Sequence, residues 1–341
     1  MRVAMYYSNN DVRLEKLPTP QINADELLIK VVASGICGSD VMEWYRIKKA
    51  PLVLGHEIAG EVVEVGENVK KYSVGERVFV FHHIPCNTCN YCLRGHYTAC
   101  ETLHTTNYYP GGFAEYVRVP ALNVDRGVFL LPDEISFEEG TFIEPLACVI
   151  HGQKVARLKP GQSVLVLGSG ISGLLHILVA RSLGAGRIIA TDVDENRLRI
   201  AREFGADVTI NAHDNVATCL KSSNKNSLAE VVIVCTGAMP AFLQALQSVE
   251  RGGIVLFFAP TDPDAELPVP VNKFWRNEIT LTTSYGNAPS DALVAIDLLQ
   301  AGRIPVHKMI THRLGLAETG LGFQLVAKAK ESIKVIIEPH K

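Results

Sequence analysis

Four cysteines fall within the stretch PCNTCNYCLRGHYTAC, in a chain that holds eight. Cys86, Cys89, Cys92 and Cys100 follow the spacing C-x2-C-x2-C-x7-C. Such a cluster can be a disulfide framework, a redox pair or a metal site. The N-terminus, MRVAMYYSNNDVRLEK, lacks an apolar core of signal-peptide length, so a reducing cytoplasm is the expected home. There, clustered thiols bind metal more often than they pair. Other candidate ligands are scattered: Cys37 in GICGSD, His56 and Glu57 in LGHEIAGEVVEVG, and Glu144 in FIEPLACVIHG. A thiolate, an imidazole and one or two carboxylates from distant segments could make an open zinc site. Taken singly, each has a plainer reading, Cys37 as a small core residue and Glu144 as the first turn of a solvated helix.

A second kind of chemistry is written in LGSGISG, residues Gly168, Ser169, Gly170, Ile171, Ser172 and Gly173 reading between a buried strand and a helix. In that context G-x-G-x-x-G is a dinucleotide turn: a tight bend, a close approach for pyrophosphate, and packing of helix on strand. The amides at the helix N-terminus face the anion. Asp192 ends the next strand, nineteen residues after Gly173. A carboxylate there accepts both adenosine ribose hydroxyls and repels a 2′-phosphate, which favours NAD over NADP. Arg197 nearby flanks the adenine ribose or answers a phosphate.

The elements that must hold these groups follow from length and pattern. With 341 residues, 47% apolar and 20% charged, the chain predicts two globular domains. A net charge of −3 argues against nucleic acid or an anionic membrane as partner, and no apolar run is long enough to span one. Residues 1–120 hold short β-type runs such as ELLIKVVASGI and ERVFVF, broken by glycine and proline, and predict a mostly β domain. LPDEISFEEGTFIEPLACVIHG reads as a helix. Then SVLVLGSG, GRIIATDVD, DVTIN, LAEVVIVCTG, GGIVLFFAP and EITLTTSYG alternate with helical segments, predicting an α/β doubly wound parallel sheet. The expected division is 1–150 with 287–341 for the first domain and 151–286 for the second. Strand ends of the sheet, Cys235 with Thr236, Phe258 with Ala259 and Ser284 with Tyr285, are expected to border ribose and nicotinamide.

With these motifs in place, the chain resembles the zinc-dependent medium-chain alcohol and polyol dehydrogenases from about Val3 to Pro339. GHEIAGEVVEVG and GICGSD match segments that carry a histidine and a thiolate ligand, and IEPLA…H resembles the sorbitol and threonine dehydrogenase branch. The resemblance implies a GroES-like catalytic domain beside a Rossmann domain. It implies a catalytic zinc on Cys37, His56 and Glu57, with Glu144 binding directly or through water. It also implies a structural zinc closed by the four clustered thiolates, which would leave no position for substrate. His82, His83 and His96 are then loop or surface residues, and Cys148, Cys219 and Cys235 buried small residues. The implied reaction oxidises a secondary alcohol to a ketone and passes hydride to NAD, with zinc polarising the hydroxyl. Ser39 matches the hydroxyl that takes the alcohol proton, and Asp40 the acid that orients a ligand. Lys334 matches a basic position that reaches the pyrophosphate.

One position departs from that pattern. Many relatives carry a histidine three residues beyond the serine, to pass the proton on, and here stands Met42. Arg46, Lys48 and Lys49 follow, either a solvated face or an attraction for an anionic substrate. Met42, Trp44, Tyr45, Tyr108 and Tyr109 are expected to shape the pocket. Two other readings compete: a zinc-free enone or quinone reductase on the same plan, and a non-enzymatic NAD-sensing zinc ribbon. Cys37, His56 and the complete quartet count against the first, and the sparse basic residues of the quartet against the second. A small-molecule substrate and a homodimer or homotetramer are the expected partners.

Overall fold

The computed structural model describes residues 1–341. They divide into two compact units, Met1–Ala147 with Asn287–Lys341, and Cys148–Gly286. The break lies at 147 and not 150, inside the helix Ile143–Val155. The single helix expected before it is two: a short turn, Phe137–Gly140, then Ile143–Val155. Ser136 starts the first with a reciprocal cap, its hydroxyl accepting from the Glu139 N–H while Glu139 reaches back.

In the second unit six parallel strands lie in the order Val208–Asn211, Ile188–Asp192, Val164–Leu167, Ala229–Val234, Val249–Phe257, Thr280–Thr283. Val164–Leu167 comes first in the chain yet sits third across the sheet, so the order reverses beside it. That reversal parts the loops at the carboxyl ends of the strands and leaves a place for a ligand. VLVL and most of AEVVIV are buried, the unbroken apolar run expected of strands inside a parallel sheet.

The first unit is built on a seven-stranded, mainly antiparallel sheet. Its path runs Ile310–Gly315, Lys334–Glu338, Leu27–Gly35, Glu57–Val65, Arg77–Val80 and Val128–Leu130, with Tyr116–Val119 also paired to Leu27–Gly35. A smaller sheet joins Asp11–Lys16, Arg2–Ser8 and Leu52–Val53. The chain's last strands therefore return to this unit. Their register matters, because Gly35 is matched with Ile336 on one side and with Glu57 on the other. Lys334 and Glu57 thus meet across the end of one strand.

That meeting changes the part assigned to Lys334. Its ammonium donates to Glu57 Oε2, and both side chains are 1% exposed. The Ile36 carbonyl lies 3.4 Å away and the Phe142 ring 5.4 Å away. Lys334, expected at a pyrophosphate, is buried inside the first unit. A buried ammonium needs a counter-charge, and Glu57 provides it.

Lys334→Met leaves Glu57 buried without its cation. In chelator-treated protein it is expected to lower unfolding free energy by about 3–5 kcal/mol, measured by urea titration. Adding Glu57→Gln to Lys334→Met should return much of that loss.

Candidate active site

The segment GICGSD folds into a tight turn because its own polar groups close it. Cys37 caps the 3-10 turn Gly38–Val41, its Sγ accepting from the Ser39 N–H at 3.4 Å. Asp40 completes the box, Oδ2 accepting from the Cys37 N–H at 3.1 Å. These bonds fix the directions of Cys37, Ser39 and Asp40 together. His56 enters from the residue before the strand Glu57–Val65, and Glu57 from its first residue.

Ligand atoms of Cys37, His56 and Glu57 lie within 4.8 Å of one another. Three details fit this group to a metal. His56 Nδ1 lies 3.2 Å from Asp40 Oδ1, which leaves Nε2 for the metal, as in carboxylate–histidine–zinc triads. Glu57 Oε1 is buried with no hydrogen-bond partner. Burial opposes charge on His56, yet Asp40 and Cys37 raise its pKa well above the usual histidine value, so the cleft favours positive charge. Burial likewise opposes charge on Asp40, and His56, Arg46 and the Cys37 amide outweigh it, holding the carboxyl below its ordinary range.

Glu144 stands outside that group of three. It is 6% exposed and accepts from Asn287 Nδ2 at 3.3 Å. Tyr108 places it in the same neighbourhood. Its phenol is raised well above the usual value, first by burial, then by the charges of Asp40, Glu144 and Glu57.

His82 and His83 lie in a loop, as expected, and that loop brings His82 against the ligand His56. The His82 ring packs tilted against His56 at 4.8 Å and against His83 at 3.9 Å between centroids. Burial, then the neighbouring His83, His56 and Arg46, lower the His82 pKa well below the usual value. His83 is lowered to about 4, again mainly by burial. Both are neutral rings at neutral pH. No spacing signal marked them, since HH follows an ordinary strand. Of the three cations after Met42, Lys48 and Lys49 are exposed, while Arg46 turns inward onto Ser39. Trp44 and Tyr109 are exposed, Met42 and Tyr45 half-buried and Tyr108 buried.

The cysteine quartet closes on itself. Cys89–Cys92 and Cys86–Cys100 sulfurs are 3.6 Å apart and Cys86–Cys92 sulfurs 4.0 Å. A zinc–sulfur tetrahedron with bonds of about 2.3 Å has edges of about 3.8 Å, so the sulfurs stand at metal-binding distances and well beyond a disulfide bond. Amides of Thr88 and Cys89 point at Cys86 Sγ and lower its pKa to about 5. Cys92 is pushed up to about 12, by burial and then by Cys89. Four thiolates this close would repel one another, and a cation at their centre would remove the conflict. His96 is exposed in this loop, as expected, and outside the quartet. Cys148, Cys219 and Cys235 are half-buried, a little more open than expected.

In the second unit the glycine turn has the shape a dinucleotide needs. Gly168 has φ +95°, open to glycine, and a Cβ on Gly173 would strike the Gly168 carbonyl. A Cβ on Gly170 would meet only Arg197 Nη1, at 3.5 Å, so the backbone there is open to a ligand. Helix Ile171–Ser182 starts immediately beyond, with Ile171, Ser172 and Gly173 in its first turn. Asp192 holds the turn from beneath, accepting from the Ser169 N–H at 2.8 Å and the Asp194 N–H at 3.0 Å. Arg197 Nη1 lies 4.0 Å from Asp192 Oδ2. Thr236 lies beside Gly168, and the amides of Phe258 and Ala259 both bond the Val234 carbonyl. Ser284 follows the last strand with its Oγ buried and unpartnered, and Tyr285 beyond it is exposed.

A thiol, imidazole and carboxylate shaped for a metal, on a chain that also carries a Rossmann turn, define a metal-dependent nucleotide-linked dehydrogenase. Residues 23–133 match the family described as Alcohol dehydrogenase GroES-like domain, and residues 172–301 match Zinc-binding dehydrogenase. A sorbitol dehydrogenase of Bacillus subtilis is 34% identical over 100% of this chain and 98% of its own length. Among solved structures, galactitol-1-phosphate dehydrogenase from Escherichia coli superposes with TM-score 0.89 at 27% identity, covering 99% of this chain and 100% of that one. A protein described as a zinc-binding dehydrogenase from Sinorhizobium meliloti, bound to NADP, gives 0.89 at 29% identity over 99% of each chain. The chain belongs to the zinc-dependent medium-chain alcohol dehydrogenase family.

The two sulfur sites should part under mutation. Cys86→Ser is expected to lose metal and lower the thermal midpoint by roughly 5–10 °C, read by metal analysis and calorimetry. Cys37→Ser should keep the midpoint within a few degrees and lose turnover.

Proposed function

We propose that this chain is a dehydrogenase of polyols or related secondary alcohols that carries two zinc ions and uses NAD. The observation that carries the reading is the meeting of half-buried Cys37 and His56 with buried Glu57 within 4.8 Å, with Ser39 Oγ 3.4 Å from Cys37 Sγ. The polyol class is supported by the relatives named above, a sorbitol and a galactitol-1-phosphate dehydrogenase. Cys37, His56 and Glu57 would hold one zinc, with Glu144 close by, and Cys86, Cys89, Cys92 and Cys100 the other.

When bound, the catalytic metal would supply a Lewis acid and the dinucleotide a hydride acceptor. The residues of the chain do the rest. Asp40 fixes the His56 tautomer by facing its Nδ1. Ser39 Oγ would exchange a proton with the substrate hydroxyl and donate a hydrogen bond to that oxygen once it carries negative charge. Neutral His82 and His83 and the buried Tyr108 line the ligand side with weakly polar rings, which limits water around the reacting oxygen.

NAD is supported over NADP by Asp192, whose carboxylate sits under the turn where a 2′-phosphate would meet like charge. Arg197 beside it keeps some tolerance for that phosphate. Self-association is supported by the edge strand Thr280–Thr283 and the exposed Val271 and Trp275 near it. No helix is long and apolar enough to cross a membrane.

A screen of polyols, inositols, diols and threonine, each with NAD and NADP, tests the reading through reduced-cofactor absorbance. Turnover of a polyol with NAD, abolished by chelation and by Cys37→Ser, is the expected result; full rates in Cys37→Ser would sink it. Asp192→Ser should raise KM for NAD about tenfold and narrow the preference over NADP.

A further inference from the structure

Met42 leaves the proton path after Ser39 without the group that relatives place there. The structure puts Arg46 on that hydroxyl. We propose that Arg46 is the positioning residue of Ser39, holding its hydroxyl with the proton turned toward the reacting oxygen. The inference rests on the reading of Ser39 as the hydroxyl that meets the substrate.

Arg46 ends the short helix Glu43–Arg46, one turn beyond Met42. Its Nε donates to the Ser39 carbonyl at 3.0 Å and its Nη2 to Ser39 Oγ at 3.1 Å. One edge of a rigid fork thus grips a single residue by backbone and side chain together. A lysine, with a single charged point, cannot span both acceptors in that geometry. The guanidinium is itself held. Its carbon lies 4.6 Å over the Tyr45 ring, Nη2 is 3.7 Å from Asp40 Oδ1, and the side chain is 15% exposed.

The consequence for Ser39 follows from counting. A hydroxyl has one proton and two lone pairs, and Arg46 takes a lone pair. The proton must therefore point away from the guanidinium, and on the other side lies Cys37 Sγ, 3.4 Å from Oγ. An oxygen sharing that space with Cys37 meets a donor. The adjacent positive charge strengthens the donation as negative charge grows on the substrate oxygen. Arg46 carries no proton onward, and the role differs from that of the missing histidine.

The test uses Arg46→Met and Arg46→Lys in the full-length, metal-loaded enzyme, each alone and combined with Ser39→Ala. Arg46→Met is expected to lower kcat about 10- to 100-fold while KM for an uncharged polyol moves less than about 3-fold. Arg46→Lys should recover only part. On the Ser39→Ala background, loss of Arg46 should add less than about 2-fold, because the effect passes through Ser39. Equal losses on both backgrounds overturn the proposal, since Arg46 would then act independently of Ser39.

A crystal structure of metal-free Arg46→Met gives a readout without turnover. Ser39 Oγ is expected to leave Cys37 Sγ, and an unmoved hydroxyl overturns the proposal. If Arg46→Met does not fold, Arg46→Lys keeps the charge and loses the fork, and the same crystal comparison decides. Failure of the broader functional reading looks different: wild-type enzyme that oxidises no polyol with either cofactor. The Ser39 geometry is still decided in that case.

Discussion

A thiol, an imidazole and a carboxylate brought within 4.8 Å of each other, mostly out of water, form an arrangement that wants a cation. The first unit answers that want in more than one way. Lys334 supplies a fixed positive charge to one Glu57 oxygen and leaves the other without a partner. Asp40 draws positive charge onto the far nitrogen side of His56. A zinc ion would satisfy what remains: the sulfur, the free imidazole nitrogen and the unpaired oxygen are suitable zinc donors. The site is thus charge-balanced only when several neighbours are counted together, and no one ligand explains it.

Around that centre, hydrogen bonds and ion-pair contacts pass from one group to the next. Arg46 reaches both Ser39 and Asp40; Asp40 reaches both His56 and the Cys37 amide; Ser39 reaches Cys37. A small shift in any of them would be felt at the ligands. Low exposure strengthens each link and penalises any left unmade. The quartet is a contrast. Its sulfurs are held by backbone amides of their own loop, Thr88 and Cys89 onto Cys86 and Cys86 onto Cys100. A full sulfur shell on a small satellite core of Leu103 and Tyr97 gives a local clamp.

The second unit solves a different problem with backbone alone. Its turn presents amides at the start of Ile171–Ser182, and Asp192 ties that turn to the neighbouring strand through the Ser169 N–H. The carboxylate has a structural duty as well as the ribose-binding one proposed for it. Removing it therefore disturbs the turn as well as the preference between cofactors.

What the sequence determined by itself was whatever is made by neighbours in the chain. The apolar runs of the six parallel strands, the glycine turn, the quartet and the GICGSD turn are patterns that span a few residues to about fifteen, and periodicity and spacing expose them. The tertiary structure decided the long-range pairings. Lys334 meets Glu57 only because of strand register 277 residues apart, which no local pattern records. His82 lies on His56, and Arg46 turns in to Ser39 while Lys48 and Lys49 stay in water. A charged side chain reads the same in sequence whether it is solvated or spent on a buried partner. Its fate is set by the desolvation cost and the partner that folding brings to it.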